Sequence, residues 1–214
     1  MEMNTPTILF AVRHGETEWN LVEKQQGQLD SPLTDLGIKQ AQSLAKGLVP
    51  KKIDVLYSSD LGRALQTAEI IAKKLSLDIH TDTRLREWHL GSLQGLTIKE
   101  FAKKFPQEAA QFNPGNPDYI LPGGESAAQR YNRCINCTED IAMREAGKRI
   151  LLVTHGGILN SFLYKSLNIP LTEPRRFSLF NASINAFSIT NGQWRLDTWG
   201  EIGHLKDMRV LDHS

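Results

Sequence analysis

Residues 8–15 of this chain, ILFAVRHG, decide its fold. Five apolar residues in a row, without polar alternation, are typical of a strand that is buried on both faces, as strands of parallel sheets are. The polar residues that end this run stand where the strand would reach the carboxyl edge of its sheet. Because ligands of open α/β sheets bind beyond that edge, Arg13 and His14 are the first candidate site residues.

A second apolar run ends in the same way. Residues 150–157 read ILLVTHGG, so another His-Gly pair follows another buried strand. A third run, residues 53–57, leads to Ser58, and Arg63 falls in the first turn of the helix predicted after it. Since the carboxyl ends of parallel strands share one edge, two histidines and two arginines should meet there and form a compact cationic pocket.

Helical periodicity between these runs predicts the fold class, α/β. The pattern indicates a three-layer α/β/α sandwich, with a mostly parallel central sheet, helices on both faces and a small lobe over the C-terminal strand ends. Thr34 is a plausible N-cap, and Ser59 or Asp60 is the cap expected for the next helix. The predicted helices are residues 34–48, 61–75, 126–146 and 158–167, and the predicted hairpin joins 183–189 to 194–199.

The middle of the chain, residues 93–124, is rich in proline and glycine. A long irregular connection in a compact domain is usually a lid or a binding loop, so we expect a lobe over the sheet within one domain that spans 1–214. A short helix is predicted at 98–105. The aromatic residues of the lobe form either an apolar wall of the pocket or, as we favour for each singly, packing of the lobe on the body: Phe101, Phe105, Phe112 and Tyr119.

The composition bounds the class of protein. The chain has 214 residues and a formal net charge of +1, from 25 Lys and Arg against 24 Asp and Glu. This balance argues against a nucleic-acid surface and a polybasic membrane anchor. No apolar run approaches the roughly 18 residues of a membrane span, and the N-terminus lacks the pattern of a signal peptide, so we expect a cytoplasmic protein. Cys134 and Cys137 fall in a helical pattern, where a core position is expected rather than a redox or metal site.

The residue types of the pocket indicate its ligand. Arginine presents a planar fork of donors that matches phosphate oxygens, so a small phosphorylated metabolite fits this pocket better than a polymer. A histidine there can attack phosphorus and form a phosphohistidine, while the arginines neutralise charge in the transition state. The alternatives are a structural histidine for His14 and a surface cation for Arg63.

Residues 13–20, RHGETEWN, resemble the signature of the histidine phosphatase superfamily, in its cofactor-dependent phosphoglycerate mutase-like branch. The resemblance extends from residue 7 to about residue 205, nearly the whole chain. One position departs from many phosphatase-type members, which have an acidic residue where Gln94 stands before Gly95. Further matching segments, in the order of the family, are 26–27 (QG), 30–34 (DSPLT), 58–64 (SSDLGRA), 85–87 (LRE), 123–126 (GGES) and 154–157 (THGG).

The resemblance implies a role for each matching residue. His14 matches the nucleophile, and Glu87 the general acid that protonates the leaving alkoxide and then, as a carboxylate, activates water. Glu16 and Glu125 are alternatives for that acid. This mechanism needs no metal, and for a phosphatase-type member we expect no cofactor. Arg13, Arg63 and His155 match residues that bind the phosphoryl group, and Thr17, Asn20, Gln26, Gly27 and Gly156 match positions near the substrate or its phosphate.

The reaction type depends on the lobe. Glycolytic mutases of the family carry a longer insert with Arg- and Tyr-rich motifs, whereas residues 95–123 are short and have only Lys99, Lys103 and Lys104 as basic residues. We therefore expect a phosphatase, a phosphomonoesterase of small phosphorylated metabolites, with a phosphoglycerate mutase as the alternative. The complete catalytic set argues against a non-catalytic phospho-ligand binding module, and the lobe against a protein phosphatase.

The remaining histidines and the oligomeric state are not explained by the phosphatase hypothesis. The other histidines are expected to take no part in catalysis, and His204 is the most open of them because tails in this family can fold towards the pocket. The oligomeric state is left open, a homodimer included. The histidines outside the catalytic set are His80, His89, His204 and His213.

Overall fold

The computed structural model of the chain describes residues 5–112, 115–208 and 210. The N-terminal residues 1–4, Pro114 of the predicted lobe and His213 lie outside these ranges. In the described part no helix combines the length and the apolar character that a membrane crossing requires. That residues 1–214 form a single domain stays a prediction.

A six-stranded sheet forms the centre of the molecule. Its strands are β1 (Thr7–Arg13), β2 (Val55–Ser58), β3 (Ile79–Thr81), β4 (Arg149–Thr154), β5 (Ile184–Thr190) and β6 (Gln193–Glu201). The spatial order is β3-β2-β4-β1-β5-β6. The three pairings among β3, β2, β4 and β1 are parallel, whereas β5 and β6 pair antiparallel at one side. The mostly parallel sheet predicted from the apolar runs is confirmed.

The helices lie on both faces of this sheet. They are α1 (Glu18–Leu21), α2 (Asp35–Leu48), α3 (Gly62–Leu75), α4 (Ile98–Lys104), α5 (Pro106–Gln111), α6 (Ala127–Arg144) and α7 (Gly156–Leu167). Alternate residues of β1 show the layering, because successive side chains of a strand point to opposite faces. Leu9 packs with α6 and α7, and Phe10 packs with α2 and α3. The three-layer α/β/α sandwich is therefore confirmed.

The start of α3 differs from the prediction. Leu61 occupies the N-cap position and makes no capping hydrogen bond through its side chain. The two residues expected to cap the helix have other partners: the Ser59 hydroxyl contacts His155, and the Asp60 carboxylate pairs with Arg86. These contacts come from distant segments, so the local sequence pattern could not show that they compete with capping.

Other boundaries move by a few residues. The strand predicted at 53–57 is Val55–Ser58, and the helix predicted at 158–167 begins at Gly156. Thr34 caps α2 as expected, and Ser126, where the long helix was predicted to start, caps α6; each accepts a backbone N–H three residues on. The short elements α1, β3 and α5 were not predicted, since three to six residues carry too little periodicity to be recognised.

The lobe has its own small apolar cluster. Phe101 is 2% exposed and packs with Leu90, Leu93 and Leu121, so the lobe begins slightly before residue 93. Phe105, Phe112 and Tyr119 pack against the same cluster, and none of the four aromatic rings lines the cavity described below. The expectation that these residues have a packing role is confirmed, although they pack within the lobe and not between the lobe and the body. The alternative of an apolar pocket wall is wrong.

Candidate active site

A cavity of about 720 Å³ lies at the carboxyl edge of β1 and β4. The pairing of Arg13 with Thr154 places the ends of these two strands side by side, so His14 and His155 follow at the same level. Most of the predicted site residues line the cavity: Arg13, His14, Asn20, Gln26, Gly27, Arg63, Glu87 and Gly156. Thr17 and His155 lie directly behind this lining and are fully buried.

The hydrogen bonds of His14 fix its tautomer. Its Nδ1 lies 2.8 Å from the carbonyl oxygen of Gly15. A carbonyl can only accept, so Nδ1 carries the proton. Nε2 then has a free electron pair, which accepts the Nε–H of Arg63 at 3.2 Å. The ring therefore presents an unprotonated nitrogen to the cavity, the state in which an imidazole is nucleophilic.

Arg63 is buried beside this nucleophile and is 1% exposed. Its guanidinium donates to the carbonyl oxygens of Gly27 and Leu29, each at 2.8 Å, and pairs with the carboxylate of Asp30 at 3.0 Å. These bonds fix the plane of the group and turn its Nε edge towards His14. Burial lowers the pKa of Arg63, while Glu87 and Asp30 oppose the shift. The surface-cation alternative for Arg63 is wrong.

Arg13 reaches the cavity from the end of β1. Its Nη1 donates to the carbonyl oxygen of Leu179. Its guanidinium carbon lies 3.6 Å from the point that a Cβ on Gly156 would occupy, so the side chain packs on the first turn of α7. The positive end of this helix and the arginine face the same space, which makes the region attractive to an anion.

His155 lies behind His14, with the two ring centroids 5.3 Å apart. Its Nε2 is 2.8 Å from the hydroxyl of Ser59, and its buried Nδ1 has no hydrogen-bond partner in the described part of the chain. Burial, followed by the positive charge of Arg63 and then by other neighbours that include Arg13, lowers the pKa of His155 well below its ordinary value. The ring is therefore neutral in the free protein at physiological pH.

Glu87 also lines the cavity, beside the first turn of α7. Its two carboxylate oxygens accept the backbone N–H groups of Trp88 at 2.7 Å and Gly157 at 2.9 Å. A Cβ on Gly157 would lie 2.2 Å from one of these oxygens, so the close approach requires glycine there. Each oxygen keeps a further electron pair that can take a proton.

The two alternative acids are placed elsewhere. Glu16 is 1% exposed and accepts the hydroxyl hydrogen of Thr34 at 2.9 Å. Glu125 pairs with Arg133 and accepts the backbone N–H of His89. Neither lines the cavity, whereas Glu87 does.

The residues after the RHG segment support the cavity wall. Thr17 caps α1 and accepts the side-chain amide of Gln26 at 2.8 Å, so it positions Gln26 rather than facing the cavity. Gln94, the position that departs from the family pattern, accepts the backbone N–H of Gln28 at 2.7 Å and packs against Gly27. Its amide thus supports the loop that holds Arg63.

Other residues that the sequence left open lie outside the cavity. His204 bonds to the carbonyl oxygen of Ala182 at 3.0 Å and packs beside Gly47 of α2. His80 and His89 do not line the cavity either. Of the three lysines of the lobe, Lys99 alone lines it. Cys134 and Cys137 are fully buried in the apolar cluster beneath α6, as expected.

Sequence reasoning missed several lining residues, above all Arg130. This residue lies in α6 four positions before the buried Cys134. A charged residue on the buried stripe of an amphipathic helix was the signal that could have found it. The other lining residues not predicted from the sequence include Lys24, Trp88, Asn160 and Arg175.

Comparisons with known proteins agree with this geometry. The profile of the histidine phosphatase superfamily (branch 1) matches residues 9–202. Phosphoglycerate mutase-like protein 4 of Arabidopsis thaliana is 41% identical over 95% of this chain and 89% of its own length. The metal-independent phosphoserine phosphatase of the same plant is 38% identical, over 97% and 87%. YhfR of Bacillus stearothermophilus superposes with a TM-score of 0.85 at 32% identity, over 92% and 98%. The chain belongs to the histidine phosphatase superfamily.

Proposed function

We propose that this protein is a metal-independent phosphatase that hydrolyses small phosphorylated metabolites through a phosphohistidine on His14. The observation that carries the proposal is the unprotonated Nε2 of His14, fixed by Gly15 and Arg63 in a cavity that Glu87 also lines. A nucleophile, a cationic partner and a proton donor in one cavity are the parts that a two-step phosphoryl transfer needs.

The first step transfers the phosphoryl group to the protein. Nε2 of His14 attacks phosphorus, and the bond between phosphorus and the ester oxygen breaks. Glu87, as the carboxylic acid, gives its proton to the departing oxygen, so the product leaves as an alcohol and not as an alkoxide. The Nδ1–H bond to Gly15 steadies the positive charge that develops on the ring.

The second step returns the protein to its starting state. Glu87, now a carboxylate, takes a proton from water while the water oxygen attacks phosphorus. The bond between phosphorus and Nε2 breaks, inorganic phosphate leaves, and His14 and Glu87 regain their original protonation. No redox step occurs, and water supplies the only further reactant.

The remaining residues stabilise charge on the transferred group. Arg13, Arg63 and the backbone N–H of Gly156 surround the position in front of His14 and donate to phosphoryl oxygens. His155 adds a donor through Nδ1, which has no partner in the described structure. An arriving dianion opposes the charges that depress the pKa of His155, so substrate binding favours its protonation.

The relatives support a phosphatase and keep one alternative in view. One relative is named a metal-independent phosphoserine phosphatase, and another a phosphoglycerate mutase-like protein. A mutase returns the phosphoryl group to an isomeric product instead of to water. The two reactions are distinguished by their products and not by the fold.

The test is an assay after EDTA treatment with two readouts. One is phosphate release from 3-phosphoglycerate, phosphoserine, sugar phosphates and p-nitrophenyl phosphate. The other is isomerisation of 3-phosphoglycerate in the presence of 2,3-bisphosphoglycerate. We expect phosphate release without isomerisation; fast isomerisation with little release would overturn the phosphatase in favour of the mutase.

The covalent step is tested by trapping. A substrate with a labelled phosphoryl group, quenched with denaturant during turnover, should leave label on the wild-type protein and on His80→Ala, whose ring lies outside the cavity. His14→Ala should retain neither label nor turnover. Full activity of His14→Ala would contradict the mechanism.

A further inference from the structure

We infer that Arg130 forms a second anion subsite in this cavity, which binds a carboxylate of the substrate and makes carboxylate-bearing phosphate esters the preferred substrates. The inference rests on the proposed function, because it names the substrate class of the same site. It is carried by the burial, the surroundings and the reach of the Arg130 guanidinium.

Arg130 is a buried cation without an ion-pair partner. It is 4% exposed, and within the described ranges no carboxylate forms an ion pair with it. Its Nε is buried and makes no hydrogen bond to the described residues. Burial lowers its pKa, and the nearby charges of Glu87 and Glu125 oppose this shift without forming an ion pair. A buried charge that makes no direct ion pair is costly to a folded protein, so its presence in a cavity wall is explained if a ligand supplies a contacting anion.

The guanidinium is held by an aromatic face. Its central carbon lies 4.7 Å from the centroid of the Trp88 ring, and the indole N–H of Trp88 donates to the carbonyl oxygen of Glu125 at 2.7 Å. The tryptophan is therefore fixed, and the arginine stacked on it keeps its plane. A stacked guanidinium offers its edge, and a fork of N–H donors along an edge matches a planar carboxylate.

Arg130 reaches the place where the leaving group departs. Its Nη1 lies 3.4 Å from the point that a Cβ on Gly157 would occupy, and an oxygen of Glu87 lies 2.2 Å from the same point. The guanidinium and the proposed proton donor thus converge on one residue. The leaving group of the substrate, which Glu87 protonates, can therefore place its own carboxylate against Arg130.

The charge of the cavity exceeds what one phosphate needs. Six basic residues line it against two acidic ones, Glu23 and Glu87. Arg63 contacts His14 and Arg13 packs beside Gly156, so a phosphate group bound between them still leaves Arg130 without a directly paired anion. The basic lining residues are Arg13, Lys24, Arg63, Lys99, Arg130 and Arg175.

Asn160 adds a neutral contact to the same subsite. It lies one turn after Gly157 in α7 and lines the cavity, and its side-chain oxygen is buried without a hydrogen-bond partner in the described part. An unused acceptor beside a carboxylate-binding arginine fits a hydroxyl or ammonium group on the carbon chain of the substrate.

The test compares esters that differ in the carboxylate. We would measure kcat/KM for phosphoserine against phosphoethanolamine, and for 3-phosphoglycerate against glycerol phosphate. Wild type should favour the carboxylated member of each pair by about tenfold or more, as expected for a charge-assisted hydrogen bond. Arg130→Leu should lose most of this preference, mainly through KM, and Arg130→Lys should keep part of it.

The matched control is Arg144→Leu, which removes the same charge from the far end of the same helix. Arg144 does not line the cavity, so its replacement should leave the preference unchanged. Leucine suits a buried helical position, and circular dichroism with thermal unfolding verifies that Arg130→Leu is folded; Arg130→Gln serves as a second neutral variant.

Several outcomes would overturn the inference. Equal kcat/KM for both members of each pair in the wild type would do so, as would an undiminished preference in Arg130→Leu. An equal loss on all esters, p-nitrophenyl phosphate included, would show that Arg130 acts on the phosphoryl group that all of them share. A bisphosphate preferred over both carboxylated esters, with that preference lost in Arg130→Leu, would replace the carboxylate by a second phosphate.

Failure of the proposed function would give a different result. If the wild type released no phosphate from any ester, calorimetric binding of 3-phosphoglycerate and glycerol phosphate to the wild type and to Arg130→Leu would still test the subsite. Tighter binding of 3-phosphoglycerate that depends on Arg130 supports the inference. Equal affinities contradict it.

Discussion

His14 and His155 lie with their ring centroids 5.3 Å apart, yet their surroundings give them different chemistry. A backbone carbonyl fixes the proton of His14 on Nδ1 and leaves Nε2 to react. Burial and nearby cations lower the pKa of His155, so its ring is neutral at physiological pH. At the scale of the residue, the site therefore depends on where single protons are held, and two predictions follow from single side chains.

Glu87→Gln should affect esters according to their leaving groups. An amide keeps the shape of the side chain but has no proton to give, so poor leaving groups lose their acid. We expect a loss of about 10²-fold or more on alkyl phosphates and a much smaller loss on p-nitrophenyl phosphate. The measurement is kcat/KM over a series of esters, plotted against the pKa of the leaving alcohol. Equal losses across the series would mean that Glu87 is not the proton donor.

His155 makes stability depend on pH in a defined direction. The unfolded chain binds a proton with the ordinary histidine pKa of about 6.5, whereas the folded protein does so only at lower pH. The contribution of His155 to the free energy of unfolding is therefore complete above about pH 6.5. It is lost as the pH falls below that value, by at most about 1.4 kcal/mol per pH unit. Urea unfolding of wild type should show this slope as the pH falls from about 6.5 to about 5, with no slope from His155 at higher pH.

The comparison variant is His155→Gln, which cannot titrate. Its free energy of unfolding should vary less with pH over the same range, whatever its value at neutral pH. His204→Gln is the second comparison, because burial lowers the pKa of that histidine in the same direction. Identical pH slopes in wild type and His155→Gln would contradict the neutral state of the buried ring.

At the scale of the element, helix α3 receives its N-terminal cap from a distant loop. The carboxylate of Asp30 accepts the backbone N–H of Arg63 at 3.2 Å and also pairs with the side chain of Arg63 at 3.0 Å. The same carboxylate lies 2.0 Å from the point that a Cβ on Gly62 would occupy, so the approach requires glycine. One side chain thus caps the start of the helix and orients the side chain of Arg63.

Asp30→Ala should therefore weaken both the helix and the site. Loss of a capping acceptor costs about 1 kcal/mol, and a misplaced Arg63 should lower kcat/KM by about tenfold. Asp30→Asn keeps an acceptor oxygen and should recover most of the stability. Thermal unfolding and kcat/KM on one ester measure the two effects. Unchanged values for Asp30→Ala would show that Arg63 is held without the carboxylate.

His14 follows from a local sequence pattern, whereas the role of Asp30 depends on a contact between distant segments, and this difference explains what the sequence could predict. The strands, the longer helices and the position of His14 follow from local apolar patterns and strand ends, and these predictions are confirmed by the structure. The roles of Asp30 and Arg130 depend on contacts between segments far apart in the chain, such as the 33 residues that separate Asp30 from Arg63. A single sequence contains no signal for the contact between Asp30 and Arg63, so capping of α3 was assigned wrongly. A charged residue on the buried stripe of α6 was a signal for Arg130, but it does not show what the residue faces, and Arg130 was missed.

At the scale of the whole molecule, the sheet separates two apolar clusters, and the cavity lies at its carboxyl edge. Both cysteines of the chain belong to the cluster under α6. Burial raises the pKa of Cys134 to about 11 and that of Cys137 to about 12. Since only the thiolate reacts with disulfide reagents, the rate at which these buried thiols react reports how often the fold around them opens.

Neither thiol should react with Ellman's reagent in the native protein at about pH 8, whereas two should react in denaturant, because access requires α6 to leave the sheet. Met143→Cys provides the matched control: this position of the same helix is 71% exposed, so one thiol per chain should react at once. Vanadate, as a phosphate analogue, should bind the folded protein in preference to the unfolded one. It should therefore slow labelling of Cys134 and Cys137 without affecting the cysteine of Met143→Cys. Rapid labelling of Cys134 or Cys137 in the folded protein would mean that α6 opens independently of the rest of the core. Because Arg130 lies in the same helix, its position in the cavity wall would then be mobile.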